Sequence, residues 1–96
     1  MAGIRRKARA LALQALYEFD CVGHSPQAVL DRLFEEGGLP EDALSFAREL
    51  VQGVLENKER IDATIQTYAP SWPLEQIPPI DRNILRVAIL EILIYN

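Results

Sequence analysis

Few residues of this chain have side chains suited to catalysis. His24 is the only histidine and Cys21 the only cysteine, and their spacing could place a base beside a nucleophile. The alternative is that both lie in a connector between helices. One histidine and one cysteine cannot complete a soft-metal site, and Gly37-Gly38 is followed by Leu39-Pro40, not by the Lys-Ser/Thr of a phosphate-binding loop. We therefore expect no catalytic residue, no metal and no cofactor, and we predict that the protein is not an enzyme.

A basic cluster at the N-terminus is the stronger signal. Residues 1–10 hold Arg5, Arg6, Lys7 and Arg9 and no acid, whereas the rest of the chain holds 6 basic and 14 acidic residues, a charge of −8. We call these four cations the basic tip. On a helix three of its guanidiniums can point into one sector, and guanidiniums bind phosphates and stack on bases. The basic tip therefore predicts a polyanion-binding surface, the alternative being a charged end that only aids solubility.

The hydrophobic pattern that must position these residues is helical throughout, and no segment alternates like a strand. Breaks at glycine and proline predict four helices, near residues 4–20, 26–36, 40–68 and 79–95. We expect an all-α helical bundle in a single domain over residues 1–96, with N-terminal helices in 1–36 and the remainder in 40–96.

Three single residues carry local expectations. Ser25, before Pro26, is a candidate N-cap for the second helix. Gly53 lies inside the third helix, where glycine costs about 1 kcal/mol relative to alanine, so we expect a close helix crossing there. Trp72, in the proline-rich stretch before the last helix, is expected to fill the core.

The last predicted helix is apolar on nearly all sides over residues 84–95, with Arg86 and Glu91 as interruptions. We expect it to be the most buried helix, with Arg86 reaching the surface or pairing with an acid such as Glu91, Asp62 or Glu49. The other helices are too few to cover it, so we expect a homodimer through this helix or a chain that is incomplete at its C-terminus. The apolar run is too short for a bilayer, so we expect a cytoplasmic protein without membrane contact.

Three stretches carry a further pattern. The basic tip runs into Ala-Leu-Gln-Ala-Leu-Tyr at residues 12–17. Residues 46–54 read Phe-Ala-Arg-Glu-Leu-Val-Gln-Gly-Val and are followed by Asn57 and Ile61-Asp62. Residues 80–91 read Ile-Asp-Arg-Asn-Ile-Leu-Arg-Val-Ala-Ile-Leu-Glu. In order and spacing these stretches resemble the first helix, the third helix and the most recognisable segment of the NusB family of bacterial transcription antitermination factors.

This resemblance implies an all-α fold of two small helical subdomains. It also implies binding of the single-stranded boxA element of nascent RNA, jointly with the ribosomal protein NusE, in a complex that helps RNA polymerase pass terminators. On the same resemblance the RNA-binding residues are Arg5, Arg6, Lys7 and Arg9, with Tyr17 and Tyr68 as candidates for base contacts. Asp81 and Arg82 are implied to face the protein partner.

The chain departs from the family pattern after Glu91. Family members continue to an Ile-Asn-Glu-Ala helix and a closing helix, so we expect a bundle truncated before its last two helices. Two alternatives to an antitermination factor are open. One is the N-terminal NusB-like domain of a small-subunit rRNA cytosine methyltransferase, and the other is a helical dimerisation module with no nucleic-acid role.

Overall fold

The computed structural model describes residues 2–37 and 39–95, apart from the side chains of Ala2 and Ile94. Every regular element in these residues is helical and none is a strand, which confirms the predicted all-α fold. The helices are α1 (Ala2–Val22), α2 (Pro26–Gly37), α3 (Glu41–Glu56), α4 (Lys58–Tyr68) and α5 (Pro79–Ile89). A 3-10 turn (Leu74–Gln76) precedes α5, and a π-helical turn (Leu90–Ile94) continues it. Gly38, considered above for a phosphate-binding loop, lies outside the described residues.

Small and apolar residues form the face through which α1 packs into the bundle. Its buried residues recur at the spacing of a helix face, and they are Ala8, Leu11, Ala12, Ala15 and Leu16. This helix packs against α2, α3 and α5. Because burial begins at Ala8, the turn before it, which carries most of the basic tip, lies at the edge of the core.

The third predicted helix is two helices, so the prediction of one helix over residues 40–68 was wrong. Asn57 separates α3 from α4 with φ −112° and ψ 15°. Its backbone N–H and its Nδ2 both donate to the carbonyl of Gly53, at 3.1 and 2.8 Å, and its own carbonyl accepts from the N–H of Ile61. Asparagine competes in this way for helical backbone groups, so Asn57 ends one helix and begins the next without interrupting the apolar spacing.

Gly53 lies at a close helix crossing, as its position predicted. A Cβ atom on Gly53 would lie 2.9 Å from Cδ2 of Leu90 and 2.5 Å from the hydroxyl of Tyr95. That hydroxyl donates to the carbonyl of Glu49 at 3.1 Å. The missing side chain therefore lets the π-helical turn and the residue after it pack directly on α3.

The connector from α1 to α2 turns at Gly23, whose φ of +75° is a left-handed value that favours glycine. Ser25 then caps α2, as predicted. Its hydroxyl accepts from the N–H of Ala28 at 3.5 Å, and its carbonyl accepts from the N–H of Val29 at 3.1 Å. The turn and the cap together fold α2 back along α1, against which it packs.

The most buried helix is α3, so the prediction that the last helix is the most buried was wrong. The buried residues of α3 are Ala43, Leu44, Ala47, Leu50, Val51, Gly53 and Val54, and those of α5 are Asn83, Arg86 and Val87. The physical reason is position, because α3 packs against each of the four other helices. The apolar side of the last helix is left exposed, as expected, with Ile80, Ile84, Leu85, Ile92 and Leu93 at 37–63% exposure.

The connector between α4 and α5 does not bury its tryptophan. Trp72 is 47% exposed, so the prediction that it fills the core was wrong. In this connector Ile77 is buried instead, at 1% exposure. Gln66 fixes the connector instead: its Nε2 donates to the carbonyl of Trp72, and its Oε1 accepts from the N–H of Leu74. In the described part of the chain, no helix combines the length and the hydropathy needed to cross a bilayer.

Candidate nucleic-acid interface

The basic tip occupies the first turns of α1. Arg5, Arg6, Lys7 and Arg9 are all exposed on a helix whose next buried residues anchor it in the core. Lys7 faces away from Arg5, because two residues on a helix are separated by about 200°. It lines a shallow apolar groove beside Leu33 and Leu39. The guanidiniums therefore share one side of α1, and the lysine lies on another.

Arg9 is paired within the chain. Its Nε donates to both carboxylate oxygens of Glu91, at 3.1 and 2.9 Å, and its Nη2 donates to Oε1 at 2.8 Å. The hydrogen bonds from Arg9 hold the pKa of the Glu91 carboxyl below its ordinary value, against the effect of burial. The same hydrogen bonds raise the pKa of Arg9. The pair joins the start of α1 to the π-helical turn, 82 residues further along the chain.

Arg5 lies over an aromatic ring. Its guanidinium carbon is 5.1 Å from the centre of the Phe46 ring, which is a cation–π distance. Both residues line an open groove of about 360 Å³ that Glu91, Ile92 and Tyr95 complete. The groove thus presents one cation, one carboxylate and two aromatic rings on the side of α1 that carries Arg9.

The two predicted base-contacting tyrosines lie in different places. Tyr68 is 86% exposed at the end of α4 and lines an open groove of about 440 Å³ with Ile89, Ile92 and Leu93. Ile92 also lines the groove of Arg5, so the two grooves are neighbours. Tyr17 is half-buried, and the neighbouring thiol of Cys21 raises its pKa. It lies about 18 Å along α1 from Arg5 at 1.5 Å per residue, so the structure does not bring it to the basic tip.

The two predicted partner-facing residues also differ in their surroundings. Asp81 is exposed in the first turn of α5, where a carboxylate interacts favourably with the helix dipole. Arg82 is mostly buried and is engaged within the chain. Its Nε and Nη2 contact Oδ2 of Asp20 at 2.9 and 2.8 Å, and its Nη1 donates to the carbonyl of Leu74.

Arg82 belongs to a partly buried polar cluster that ties α5 to α1 and α4. Arg86, the arginine of the apolar helix, pairs with Asp62, one of the three acids predicted for it, and also contacts Asp20. Burial tends to raise the pKa of Asp20, but hydrogen bonds from Arg82 and Asn83 and the charges of both arginines hold it below its ordinary value. No buried side-chain polar atom in the described residues lacks a partner. Sequence reasoning missed Asp20, because nothing near it in the chain indicates burial.

The residues considered for catalysis form no catalytic pair with each other in the structure. Nδ1 of His24 lies 3.2 Å from Oε1 of Glu18, whose other oxygen accepts from Gln14 and Arg32. These hydrogen bonds, from Gln14 above all, lower the pKa of Glu18 to about 2. Cys21 is exposed and forms no disulfide. Over residues 2–37 and 39–95 no group of histidine, cysteine and acidic residues is suited to hold a metal ion.

Comparison with known proteins gives consistent matches. The model of the NusB family matches residues 6–96. The transcription antitermination protein NusB of Roseiflexus sp. (strain RS-1) is 46% identical over 94 residues, which are 98% of this chain and 66% of that protein. NusB of Dehalococcoides mccartyi (strain CBDB1) is 45% identical over 96 residues, which are 100% of this chain and 67% of that protein. The chain thus spans about two thirds of the length of these relatives.

Solved structures agree with this similarity. A crystal structure of antitermination factors NusB and NusE in complex with double-stranded RNA contains a chain with TM-score 0.87 and 27% identity, the match covering 99% of this chain and 70% of that chain. A crystal structure of a plectonemic RNA supercoil contains a chain with TM-score 0.90 and 28% identity, with 97% and 68% covered. The fold, the sequence and the family model all agree, and the chain belongs to the NusB family.

Proposed function

We propose that the chain is an RNA-binding transcription antitermination adaptor, and not an enzyme, that binds boxA-type single-stranded RNA through its basic tip. It acts with the ribosomal protein NusE on the RNA polymerase elongation complex, in the cytoplasm, where nascent RNA and ribosomal proteins meet. The observation that carries the proposal is the exposure of Arg5, Arg6 and Lys7 on a helix anchored in the core of an otherwise acidic chain. A local cationic surface binds polyanions whatever the net charge.

The comparisons support the proposal from a separate direction. The relatives named above are antitermination proteins and not methyltransferases, so we do not favour the methyltransferase-domain alternative. One of the similar folds was crystallised with NusE and RNA. We assign Asp81 to the NusE surface because it is exposed, and we give Arg82 a supporting role, because its guanidinium holds the start of α5 to Asp20.

Base contacts need groups other than the arginines, because phosphate contacts carry no sequence information. Tyr68 is the better candidate, since its ring is exposed and its groove adjoins that of Arg5. Stacking of a base on an aromatic ring contributes roughly 1–3 kcal/mol. Tyr17 stays a candidate for contacts further along α1.

A homodimer through the last helix is a second candidate property. The exposed apolar side chains of α5 and the π-helical turn form a face of the kind that marks interfaces. Sedimentation equilibrium tests it, and we expect a mass above the 10.8 kDa of one chain. A stable monomer at high concentration would contradict the dimer and leave the RNA proposal untouched.

The RNA proposal is tested by a salt titration with a boxA-like single-stranded oligonucleotide, with NusE present and absent. If three tip residues each neutralise one phosphate, log affinity should fall against log salt with a slope of about −2, at roughly −0.7 per phosphate. The double variant Arg5→Gln/Arg6→Gln should bind more weakly and lose about 1.4 of that slope. The matched control is Lys58→Gln/Arg60→Gln, which removes the same charge from α4.

The control separates a local surface from overall charge. We expect Lys58→Gln/Arg60→Gln to keep the slope of the wild-type chain, and circular dichroism to show the same helical content in all three proteins. If the tip variant and the control lose equal affinity and slope, the basic tip is not the RNA site and the proposal fails.

A further inference from the structure

The carboxylate of Glu91 occupies the guanidinium fork of Arg9. Three hydrogen bonds of 2.8–3.1 Å join the two groups. A phosphate would bind Arg9 through the same parallel N–H donors, because carboxylate and phosphate oxygens match the fork equally well. Arg9 therefore cannot hold Glu91 and an RNA phosphate in the same geometry at the same time.

Glu91 also lies within the field of a second cation of the basic tip. It lines the groove of Arg5, and the charge of Arg5 contributes to lowering its pKa. A fixed negative charge at this point offsets part of the positive charge that an approaching phosphate would meet. In the folded chain the guanidinium side of the tip is therefore less cationic than its three arginines suggest.

We infer that Glu91 competes with RNA phosphate for the guanidinium of Arg9 and so sets the affinity and the salt dependence of the basic tip. The inference rests on the proposed function, since it concerns the same surface. Hydrogen bonds from Arg9 to phosphate replace those to the carboxylate, no covalent bond changes, and the displaced Glu91 turns toward solvent. Arg9 then changes from an internal partner into an RNA contact.

Exposure makes this exchange feasible. The side chains of Arg9 and Glu91 are 45% and 22% exposed, and ion pairs of this kind contribute little to stability, because water and salt screen them. The core does not depend on the pair, since α1 is already held by its buried face and by contacts with α2, α3 and α5. Displacing Glu91 therefore requires no unfolding.

The test measures oligouridylate binding against salt, because phosphate competition does not require a particular base sequence. Glu91→Gln should bind about two- to fivefold more tightly than wild type at low salt, the size of one released surface ion pair. Its slope should also be steeper, because salt screens the Arg9–Glu91 pair that RNA must displace in the wild-type chain and so offsets part of the wild-type loss of affinity. The matched control is Asp31→Asn, which removes the carboxylate of another surface pair, with Arg48, on α2 and α3. It should leave the slope unchanged.

A second measurement uses the wild-type chain alone. In NMR titrations, saturating oligouridylate should shift the Nε–H resonance of Arg9 and the side-chain carboxylate carbon of Glu91 together. Resonances that stay in place overturn the inference, as does a Glu91→Gln protein that binds no better than wild type or no better than Asp31→Asn. Measuring Arg5→Gln/Arg6→Gln and Lys58→Gln/Arg60→Gln in the same titrations distinguishes the two failures, because the proposed function fails only if these two variants lose equal affinity and slope.

Discussion

Arg86 on α5 donates two parallel hydrogen bonds to Asp62 on α4, from Nε to Oδ1 at 2.8 Å and from Nη2 to Oδ2 at 3.1 Å. The remaining nitrogen, Nη1, reaches Oδ1 of Asn83 at 3.1 Å and Oδ2 of Asp20 at 3.4 Å. One side chain thus connects α5 to both α4 and the end of α1. Because its side chain is only 6% exposed, this arginine is buried in the protein although it lies on a mostly apolar helix.

Replacing Arg86 with leucine should destabilise the chain by about 3 kcal/mol, because removing one member of a buried ion pair leaves the others without compensation. We place the loss at the lower end of the usual range, since Asp62 and Asp20 are 20% and 19% exposed. Urea unfolding measures it. Arg86→Lys keeps the charge without the fork and should lose less. Equal stability of the leucine variant and wild type would show that the cluster contributes nothing.

Gly53→Ala should destabilise the chain by about 1 kcal/mol, although alanine is the better helix former. The added methyl would lie 2.9 Å from Leu90, which is fully buried, and overpacking costs about 1–3 kcal/mol against a helical gain of about 1. Gly3→Ala is the control, because nothing lies within 4 Å of that position. Thermal melts should show a lower Tm for the first variant and no decrease for the second.

Glu18 should make stability depend on pH in the acid range. Its pKa falls from 4.5 to about 2 in the folded chain, so its contribution is complete above the unfolded value and is lost as pH falls through the folded one. The difference in Tm between wild type and Glu18→Gln should be largest above pH 4.5 and disappear near pH 2. A difference that is constant with pH would show that the carboxylate charge plays no part.

Asp81→Lys should weaken NusE binding by about 1 kcal/mol, the usual scale for one exposed charge pair. Calorimetric titration with NusE measures the change. Asp42→Lys is the matched control, since Asp42 is also an exposed acid in the first turn of a helix, α3. If both variants bind NusE as wild type does, the start of α5 is not the partner surface.

Tyr68→Ala should weaken binding of boxA-like RNA by roughly 1–3 kcal/mol, because one stacked base loses its platform. The Tm should not change, since the side chain is 86% exposed. Tyr68→Phe retains the ring and serves as the control, with affinity near that of wild type. An alanine variant with unchanged affinity would remove Tyr68 from the RNA surface.

The helices could be predicted from sequence wherever their ends depend on local chemistry. Ser25 acts on the backbone beside it, so its role as an N-cap follows from residue type alone. The break at Asn57 was hidden because the apolar spacing continues across it. The relative burial of α3 and α5 could not be predicted from the sequence either, since it depends on which helices surround each one and not on how apolar each one is.

Part of the candidate site could be predicted from the sequence, and part could not. Clustered charge identified the basic tip, because four cations near one end of a helix must share its surface. The pairing of Arg9 with Glu91 could not be predicted, since 82 residues separate them and the sequence offered Glu91 as a partner for Arg86 instead. The arginine inside the apolar helix did indicate a buried pair, and Asp62 was among the acids expected for it.

The long separation in sequence between Arg9 and Glu91 also has a consequence during synthesis of the chain. During translation α1 is synthesised before the other four helices, and N-terminal parts of a protein begin to fold while synthesis continues. Its arginines emerge long before the carboxylate that neutralises one of them in the finished fold. Until Glu91 has been synthesised, the guanidinium of Arg9 therefore lacks the partner that it has in the folded chain. The pair can form only once the π-helical turn has been made, so the net charge at the basic tip falls during synthesis.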